Sequence, residues 1–312
     1  MTGGIAGAPA ADPEMRITAH VFERAHGAPC TTLRRAHGAL TLLAGPGTAL
    51  AVALPWGTIV AAGPGEDGTA GLYSMNRHAD AFSMDQERLA AALAAGTMPP
   101  WAVPAVRALL AHADPMPGAR LVVNRELPVE TGLLSGAETA CAATATLGDL
   151  YGAARAATSY ETERDPSHLA SLHARDGHAA LVTDGTVRHL PCDLLTAGLR
   201  LLIMDVGLGG ENATPAISAD LVEQAAGVLQ TGDLDALGPL LTQSHIRGEP
   251  LLDEALDIAR SAGALGGLAL GRCGLALVPV AAVPDVRTRV VGRLAGRARR
   301  RPRFLTVVPS GV

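Results

Sequence analysis

The sequence predicts an α+β protein of two layered halves that meet near residue 190. Three observations predict this class. Short β-like runs dominate the first part of the chain, helical runs follow in groups instead of alternating with single strands, and a strand–helix–strand order closes the chain. The predicted domains are residues 16–189 and residues 190–312.

The first half begins with β-like runs and ends on a glycine-containing loop. We expect residues 1–15 to form a loose leader, because they are rich in Gly and Ala. Alternating or continuous apolar runs predict strands, and helical periodicity predicts helices. The predicted strands are 17–22, 39–45, 48–62, 72–77 and 119–127, and the predicted helices are 86–95 and 101–112.

After Tyr151 the pattern predicts a helix to Ala157 and another over 164–173, with Asp165 and Pro166 as its N-cap and first residue. The Asp184-Gly185 pair predicts the turn of a β-hairpin. Strands are then predicted over 199–207, 272–280 and 304–310, and helices over 219–230, 234–245, 251–262 and 283–301.

Composition and charge exclude several classes. The 312 residues are 48% hydrophobic and 18% charged, which is typical of a globular domain. A net charge of −5 argues against general nucleic-acid binding. All 25 basic residues are Arg, so no mechanism that needs a Lys side chain operates here. The Arg-rich stretch 293–303 is either a contact for an acidic partner or a solvated helix face.

The absence of several sequence signals bears on the cellular compartment and on metal binding. Its four Cys form no CxxC pair, its start has no secretory pattern, and no run of about 18 apolar residues predicts a membrane span. We therefore expect a cytoplasmic protein. The tightest histidine group is His168, His173 and His178, but HExxH and Cys/His zinc spacings are absent.

Residues 127–152 are the most informative stretch. A Pro opens it, a loop with glycines follows, and an Ala-rich run without helix breakers comes next. That order predicts a strand, a tight loop and the start of a buried helix. Backbone N–H groups at a helix start lack partners within the helix and favour negative charge, so the stretch predicts a phosphate cradle.

The same stretch carries a family resemblance. The GHMP small-molecule kinases have a P-x-x-x-G-L-S-S-S-A phosphate loop, and the matching residues are Pro128, Gly132, Leu133, Ser135 and Ala137. Residues 36–279 resemble these kinases, especially galactokinases and mevalonate kinases. The resemblance implies a ribosomal-protein-like N-terminal half and a ferredoxin-like C-terminal half. It also implies ATP and Mg²⁺ as cofactors and a sugar-like small molecule as substrate.

On this resemblance the nucleotide would be held by Gly132, Leu133, Ser135, Gly136 and Ala137. A metal ion would be held by Ser135 and Glu138, although a first-turn Glu also suits the helix dipole. Three positions depart from the family pattern. Leu134 and Gly136 stand where the family has serines, and Glu130 places a carboxylate where a Gly is usual.

The family's catalytic Asp, in a G-I-M-D-Q-x-A-S run, aligns with Ser167. A serine is a poor acceptor for the proton of a substrate hydroxyl. Asp165 and His168 are the neighbouring candidates for a base. Pro166 restricts the backbone beside Asp165, and His168 is open to a second interpretation as a packed or solvent-facing histidine.

Two further motifs are altered. In the family's first motif the basic residue aligns with Ala39, and the E-H-x-D run that contacts substrate aligns with residues 45–48. The glycine-rich third motif aligns with residues 262–273, where the Thr and at least two glycines are lost. Arg272 is new there, and it either meets an anion or faces solvent.

Two functions follow from these observations. One is a divergent ATP-dependent kinase acting on an alcohol group of a sugar or related metabolite, using ATP and Mg²⁺. The other is a pseudokinase, or a family descendant with changed chemistry. Such a protein keeps the cleft to bind a small molecule or a partner and needs no cofactor. The combined losses favour the second function mechanistically.

Overall fold

The computed structural model confirms the α+β class. It describes residues 12–66, 68–112, 115–127, 132–152, 166–208 and 218–311. The strands in these ranges are β1 Thr32–Gly45, β2 Thr48–Pro64, β3 Thr69–Ser74, β4 Phe82–Asp85, β5 Ala119–Arg125, β6 His178–Thr183, β7 Thr186–Pro191, β8 Leu199–Asp205, β9 Gly266–Leu270, β10 Cys273–Pro279 and β11 Arg303–Val307. The helices are α1 Pro13–His26, α2 Gln86–Ala94, α3 Val103–His112, α4 Ala137–Tyr151, α5 Pro166–Leu172, α6 Ala219–Thr231, α7 Leu237–Gln243, α8 Pro250–Ser261 and α9 Val283–Leu294.

The chain forms two compact units. Among the described residues, the first comprises those within 1–36, 56–126 and 136–163, and the second comprises those within 37–55, 127–135 and 164–312. The long strands β1 and β2 each contribute to both units. The predicted boundary at residue 190 lies inside the second unit, because the β6–β7 hairpin pairs with the first part of β2. The predicted domains 16–189 and 190–312 stay a prediction.

In the first unit, helices cover both faces of a sheet ordered β4-β3-β5-β2. Only the β3–β5 pair is parallel. Alternate residues of β2 point to opposite faces, as the period of a strand requires. Ile59 packs with Phe22 of α1, whereas Val60 packs with the core residues of α2, α3 and α4.

The second unit contains the β6–β7 hairpin paired with residues 48–52 of β2. It also contains an antiparallel sheet ordered β11-β8-β10-β9. Helices α8 and α9 cover one face of this sheet, where Leu202 of β8, Leu256 of α8 and Val290 of α9 share a core. None of the described helices meets the length and hydropathy that crossing a bilayer requires.

One predicted strand is wrong. Residues 17–22 lie in α1, where Thr18 and Phe22 point into the core one helical turn apart. The helix starts because the Asp12 carboxylate accepts the N–H groups of Glu14 and Met15, and it ends at Gly27 in a left-handed conformation. The β-branched and aromatic residues of this run suggested a strand, but the helical period spans a longer window.

The predicted helix over 283–301 is too long, since α9 ends at Leu294 and Gly296 has φ +75°. The predicted hairpin is confirmed, with Asp184 and Gly185 at φ +47° and +81° between β6 and β7. The predicted helix from Tyr151 to Ala157 falls almost wholly on residues outside the described ranges, as do Asp165 and most of the leader.

Candidate functional site

The loop before α4 has the backbone geometry of a glycine turn. Gly132 has φ +65° and Gly136 has φ +100°, which only glycine adopts readily. A Cβ added at Gly136 would lie 3.2 Å from Cγ of Pro104. Leu133 and Leu134 are buried, whereas Ser135 is exposed. The predicted helix begins at Ala137, and Leu134 presents a packed apolar side chain where the family has a hydroxyl.

Glu138 is almost fully buried at the start of α4, with 1% of its surface exposed. Both of its carboxylate oxygens accept the backbone N–H of Gly136, at 3.2 and 3.1 Å. Arg125 Nη2 lies 3.6 Å away, and Thr139 Oγ1 donates at 3.4 Å. Burial raises the pKa of the Glu138 carboxyl, and the Arg125 charge acts in the opposite direction.

Glu138 therefore already supplies a carboxylate to the N–H of Gly136. This arrangement caps the helix from within, with the acidic group on the side that the dipole favours. Glu138, which the family resemblance predicted as a metal ligand, instead accepts hydrogen bonds from Gly136 and Thr139 and lies beside Arg125.

Ser167, the residue at the predicted base position, lies in the first turn of α5. Its Oγ is 3.1 Å from Oγ1 of Thr41 in β1. His168 is buried, with 4% of its surface exposed. Ser171, one turn later, donates to the carbonyl of His37 at 2.6 Å. Asp165 lies outside the described residues.

A cavity of about 240 Å³ lies beside the start of α5. Its lining includes Gly45, Thr48, Pro166 and Asp184. β1 ends at Gly45 and β2 begins at Thr48, so the stretch aligned with the family's substrate run is now a tight turn. That stretch and the residue before Ser167 thus line one cavity.

The sequence did not single out Asp184 as a site residue, because its Asp-Gly signal was fully explained by a hairpin turn. The strand register places Asp184 at the cavity beside α5. Thr48 pairs with Thr183, so the β1–β2 and β6–β7 turns lie side by side, and the N–H of Asp184 donates to the carbonyl of Gly47 at 2.9 Å.

The stretch aligned with the third motif forms the β9–β10 hairpin. Leu270 pairs with Cys273 across a two-residue turn of Gly271 and Arg272. Gly266 in this stretch serves packing, because a Cβ there would lie 1.9 Å from the carbonyl oxygen of Gly238 in α7. Close approach of α7 to β9 therefore requires glycine at this position.

Asp205, at the end of β8, is a buried acidic group that sequence reasoning treated only as part of a strand. It accepts from Arg300 Nη2 at 2.6 Å and from the N–H of Gly207 at 2.9 Å. Burial, and next the charge of Asp205, raises the pKa of the Cys273 thiol to about 12. Cys273 is thus a protonated core residue at neutral pH and not a thiolate nucleophile.

His245 has a structural role, because both of its ring nitrogens form hydrogen bonds within the protein. Its Nδ1 accepts the N–H of Ala269 at 3.1 Å, which leaves Nε2 to donate to Asp253 at 2.8 Å. The histidine joins β9 to α8. Across the ranges that the structure describes, no three His, Cys, Asp or Glu side chains are grouped so as to hold a metal ion.

The fold of this chain is similar to that of several solved structures. No protein-family model and no curated protein matches the chain. The galactokinase of Lactococcus lactis, solved with galactose, superposes with a TM-score of 0.76 at 14% identity, covering 96% of this chain and 99% of that one.

Two mevalonate kinases superpose as well. That of Methanococcus jannaschii has a TM-score of 0.62 at 12% identity, covering 90% of this chain and 98% of its own. That of L. major, in complex with R-mevalonate, has a TM-score of 0.58 at 16% identity, covering 90% and 97%. The chain therefore has the GHMP-kinase fold, as its sequence predicted.

Proposed function

We propose that this GHMP-kinase-fold protein is a pseudokinase: it binds a small sugar-like molecule and does not transfer phosphate from ATP. The observation that carries the proposal is the capping of α4 by Glu138. An ATP phosphate at this helix start would need the N–H that Gly136 donates to Glu138. It would also have to approach a buried carboxylate.

The residues present do not fit ATP and Mg²⁺ as the family pattern requires. Leu134 is packed in the protein, so it offers no hydroxyl to a phosphate or metal. Glu138, the second candidate metal ligand, is held by Gly136 and Arg125. Ser135 is exposed, and it is the one hydroxyl that the loop retains among the three serine positions of the motif.

The acid–base residues support the same proposal. Ser167 interacts with another hydroxyl, that of Thr41, and a serine is a weak base. Ala39, at the position of the family's basic residue, packs in a cluster with Ala51, Ala170 and Ala180. An arginine side chain at position 39 would overpack this alanine cluster. The position is therefore suited to core packing and not to a basic residue.

The cavity beside α5 is our candidate for the ligand. Its volume of about 240 Å³ lies just below the range of small-molecule pockets, about 300–1,000 Å³, and this favours a ligand no larger than a monosaccharide. Asp184 and Thr48 offer a carboxylate and a hydroxyl at its edge. These groups suit the hydroxyls of a polyol. The galactose in the Lactococcus lactis galactokinase makes this sugar a natural first probe.

A thermal-shift series with galactose, mevalonate and Mg-ATP tests the proposal. We expect a dose-dependent rise in melting temperature with a sugar or polyol, its loss in Asp184→Asn, and no rise with Mg-ATP. The exposed Asp176, changed to Asn, is the matched control and is expected to keep the shift. Stabilisation by Mg-ATP, with phosphorylated product, would contradict the proposal.

The second candidate function is an ATP-dependent phosphotransferase with an unusual base. The left-handed conformations of Gly132 and Gly136 favour it, because they keep the turn before the helix that a phosphate loop uses. In that case His168 would act as the base, and His168→Gln would abolish turnover.

A further inference from the structure

The edge of the second unit's sheet carries a groove that the proposed function does not use. β11 is the end strand of the order β11-β8-β10-β9, so alternate backbone N–H and C=O groups on its outer side lack a strand partner among the described residues. A groove of about 520 Å³ lies between α9 and this strand. Its lining includes Pro284, Arg287, Val291, Arg301, Pro302 and Phe304.

The floor of the groove is apolar and packs against the core of the second unit. Phe304 is half-buried and packs against the core formed by β8, α8 and α9. Pro302 is buried and Val291 is half-buried. An apolar side chain entering the groove would therefore contact a fixed surface.

The rim of the groove is basic. Arg287 and Arg301 are exposed, as is Arg303 on the edge strand itself. The guanidinium of Arg287 lies 5.4 Å from the centre of the Phe304 ring. None of the ion pairs among the described residues includes these three arginines.

Three other arginines of the same region do form ion pairs. Arg289 pairs with Asp285, Arg297 with Glu254 and Arg300 with Asp205. Arg287, Arg301 and Arg303 thus form none of the ion pairs among the described residues, on a chain whose net charge is −5. This local charge favours an acidic partner.

We propose that β11 and the adjoining groove bind an extended acidic segment of a partner protein. The segment adds as a strand to β11, places one apolar side chain against Phe304, and directs carboxylates toward Arg287 and Arg301. Main-chain hydrogen bonds supply affinity in this mode, while the groove and the arginines supply selectivity. The competing explanation is that the arginines only protect an exposed edge from non-specific pairing.

The test uses a fluorescein-labelled eight-residue peptide that alternates Glu and Val around a central Phe, with anisotropy measured on the full chain. We expect saturable binding that Arg287→Glu/Arg301→Glu weakens at least about tenfold. Arg293→Glu, an exposed arginine of the same helix that does not line the groove, is the matched control and should bind as the unaltered chain does.

Two probe peptides separate strand addition from charge alone. A version with alternate backbone amides methylated should not bind, and a version with Lys in place of Glu should not bind. Absence of binding by the acidic peptide at millimolar concentration would overturn the proposal. So would equal binding of the methylated peptide, or equal or tighter binding of a single-stranded oligonucleotide of the same charge.

Discussion

The carboxylate of Glu138 accepts the backbone N–H of Gly136, at 3.1 and 3.2 Å, from a position only two residues further along the chain. An acidic group thus occupies the start of α4 from inside the protein. The helix start of a phosphate loop uses its amides for a bound anion instead. The proposed loss of the nucleotide site, in a chain that keeps the GHMP-kinase fold, rests on this one relationship.

Removing the Glu138 carboxylate should destabilise the protein. Glu138→Ala leaves the Gly136 N–H without this acceptor and Arg125 without this carboxylate in a buried setting. We expect a loss of about 2–4 kcal/mol in the free energy of unfolding, measured by urea denaturation. The exposed Ser135, changed to Ala, should alter it by less than about 0.5 kcal/mol. Equal effects of the two substitutions would argue against the capping role.

The pH dependence of Glu138 has a definite sign. Because burial raises the pKa of this carboxyl, the folded state retains its proton to a higher pH than the unfolded state does. The unaltered chain therefore loses stability as pH rises from the ordinary value of 4.5 through the raised value. Glu138→Gln does not titrate.

We expect the melting temperature of Glu138→Gln, relative to the unaltered chain, to increase between about pH 5 and pH 8. Differential scanning calorimetry of both proteins measures this difference directly. A relative decrease would mean that the ion pair with Arg125, 3.6 Å away, outweighs the cost of burial.

His112 should make the protein sensitive to acid. It is 6% exposed, and burial lowers its pKa below the ordinary 6.5. The unfolded state therefore binds a proton first, and the stability contributed by the neutral histidine is lost as pH falls below about 6.5. His112→Phe should reduce the slope of stability against pH between about 7.5 and 5.5. The exposed His20, changed to Phe, should not; equal slopes in all three proteins would contradict the prediction.

Gly266 should tolerate no side chain. A Cβ there would lie 1.9 Å from the carbonyl oxygen of Gly238, which is backbone and cannot rotate away. We expect Gly266→Ala to cost more than about 3 kcal/mol or to prevent folding of the second unit, as judged by circular dichroism and urea denaturation.

Gly292→Ala is the matched control, because nothing lies within 4 Å of its added Cβ in α9. It should stabilise the protein by about 0.5–1 kcal/mol, the helix propensity difference between Ala and Gly. If Gly266→Ala behaved in the same way, the close approach of α7 to β9 would be in doubt.

The sequence predicted much of the fold because its signals are local. The Asp184-Gly185 turn and the long apolar run of β2 each identify an element without reference to the rest of the chain. The helix over residues 17–22 was missed because a β-like composition hid its period, and its caps, Asp12 and Gly27, lie outside that window.

The candidate site was less accessible to sequence reasoning because its features depend on tertiary contacts. Glu138 of α4 is explained by its burial beside Arg125, which comes from strand β5. Asp184 reaches the cavity only through the pairing of Thr48 with Thr183. Neither partner can be inferred from spacing along the chain.

A calorimetric titration of Mg-ATP into the full chain tests the central claim most directly. Because Glu138 already holds the Gly136 amide, we predict no saturable heat up to millimolar nucleotide and no sugar phosphate when galactose is added. Saturable binding of Mg-ATP at micromolar concentration, together with transfer of its terminal phosphate, would contradict the account.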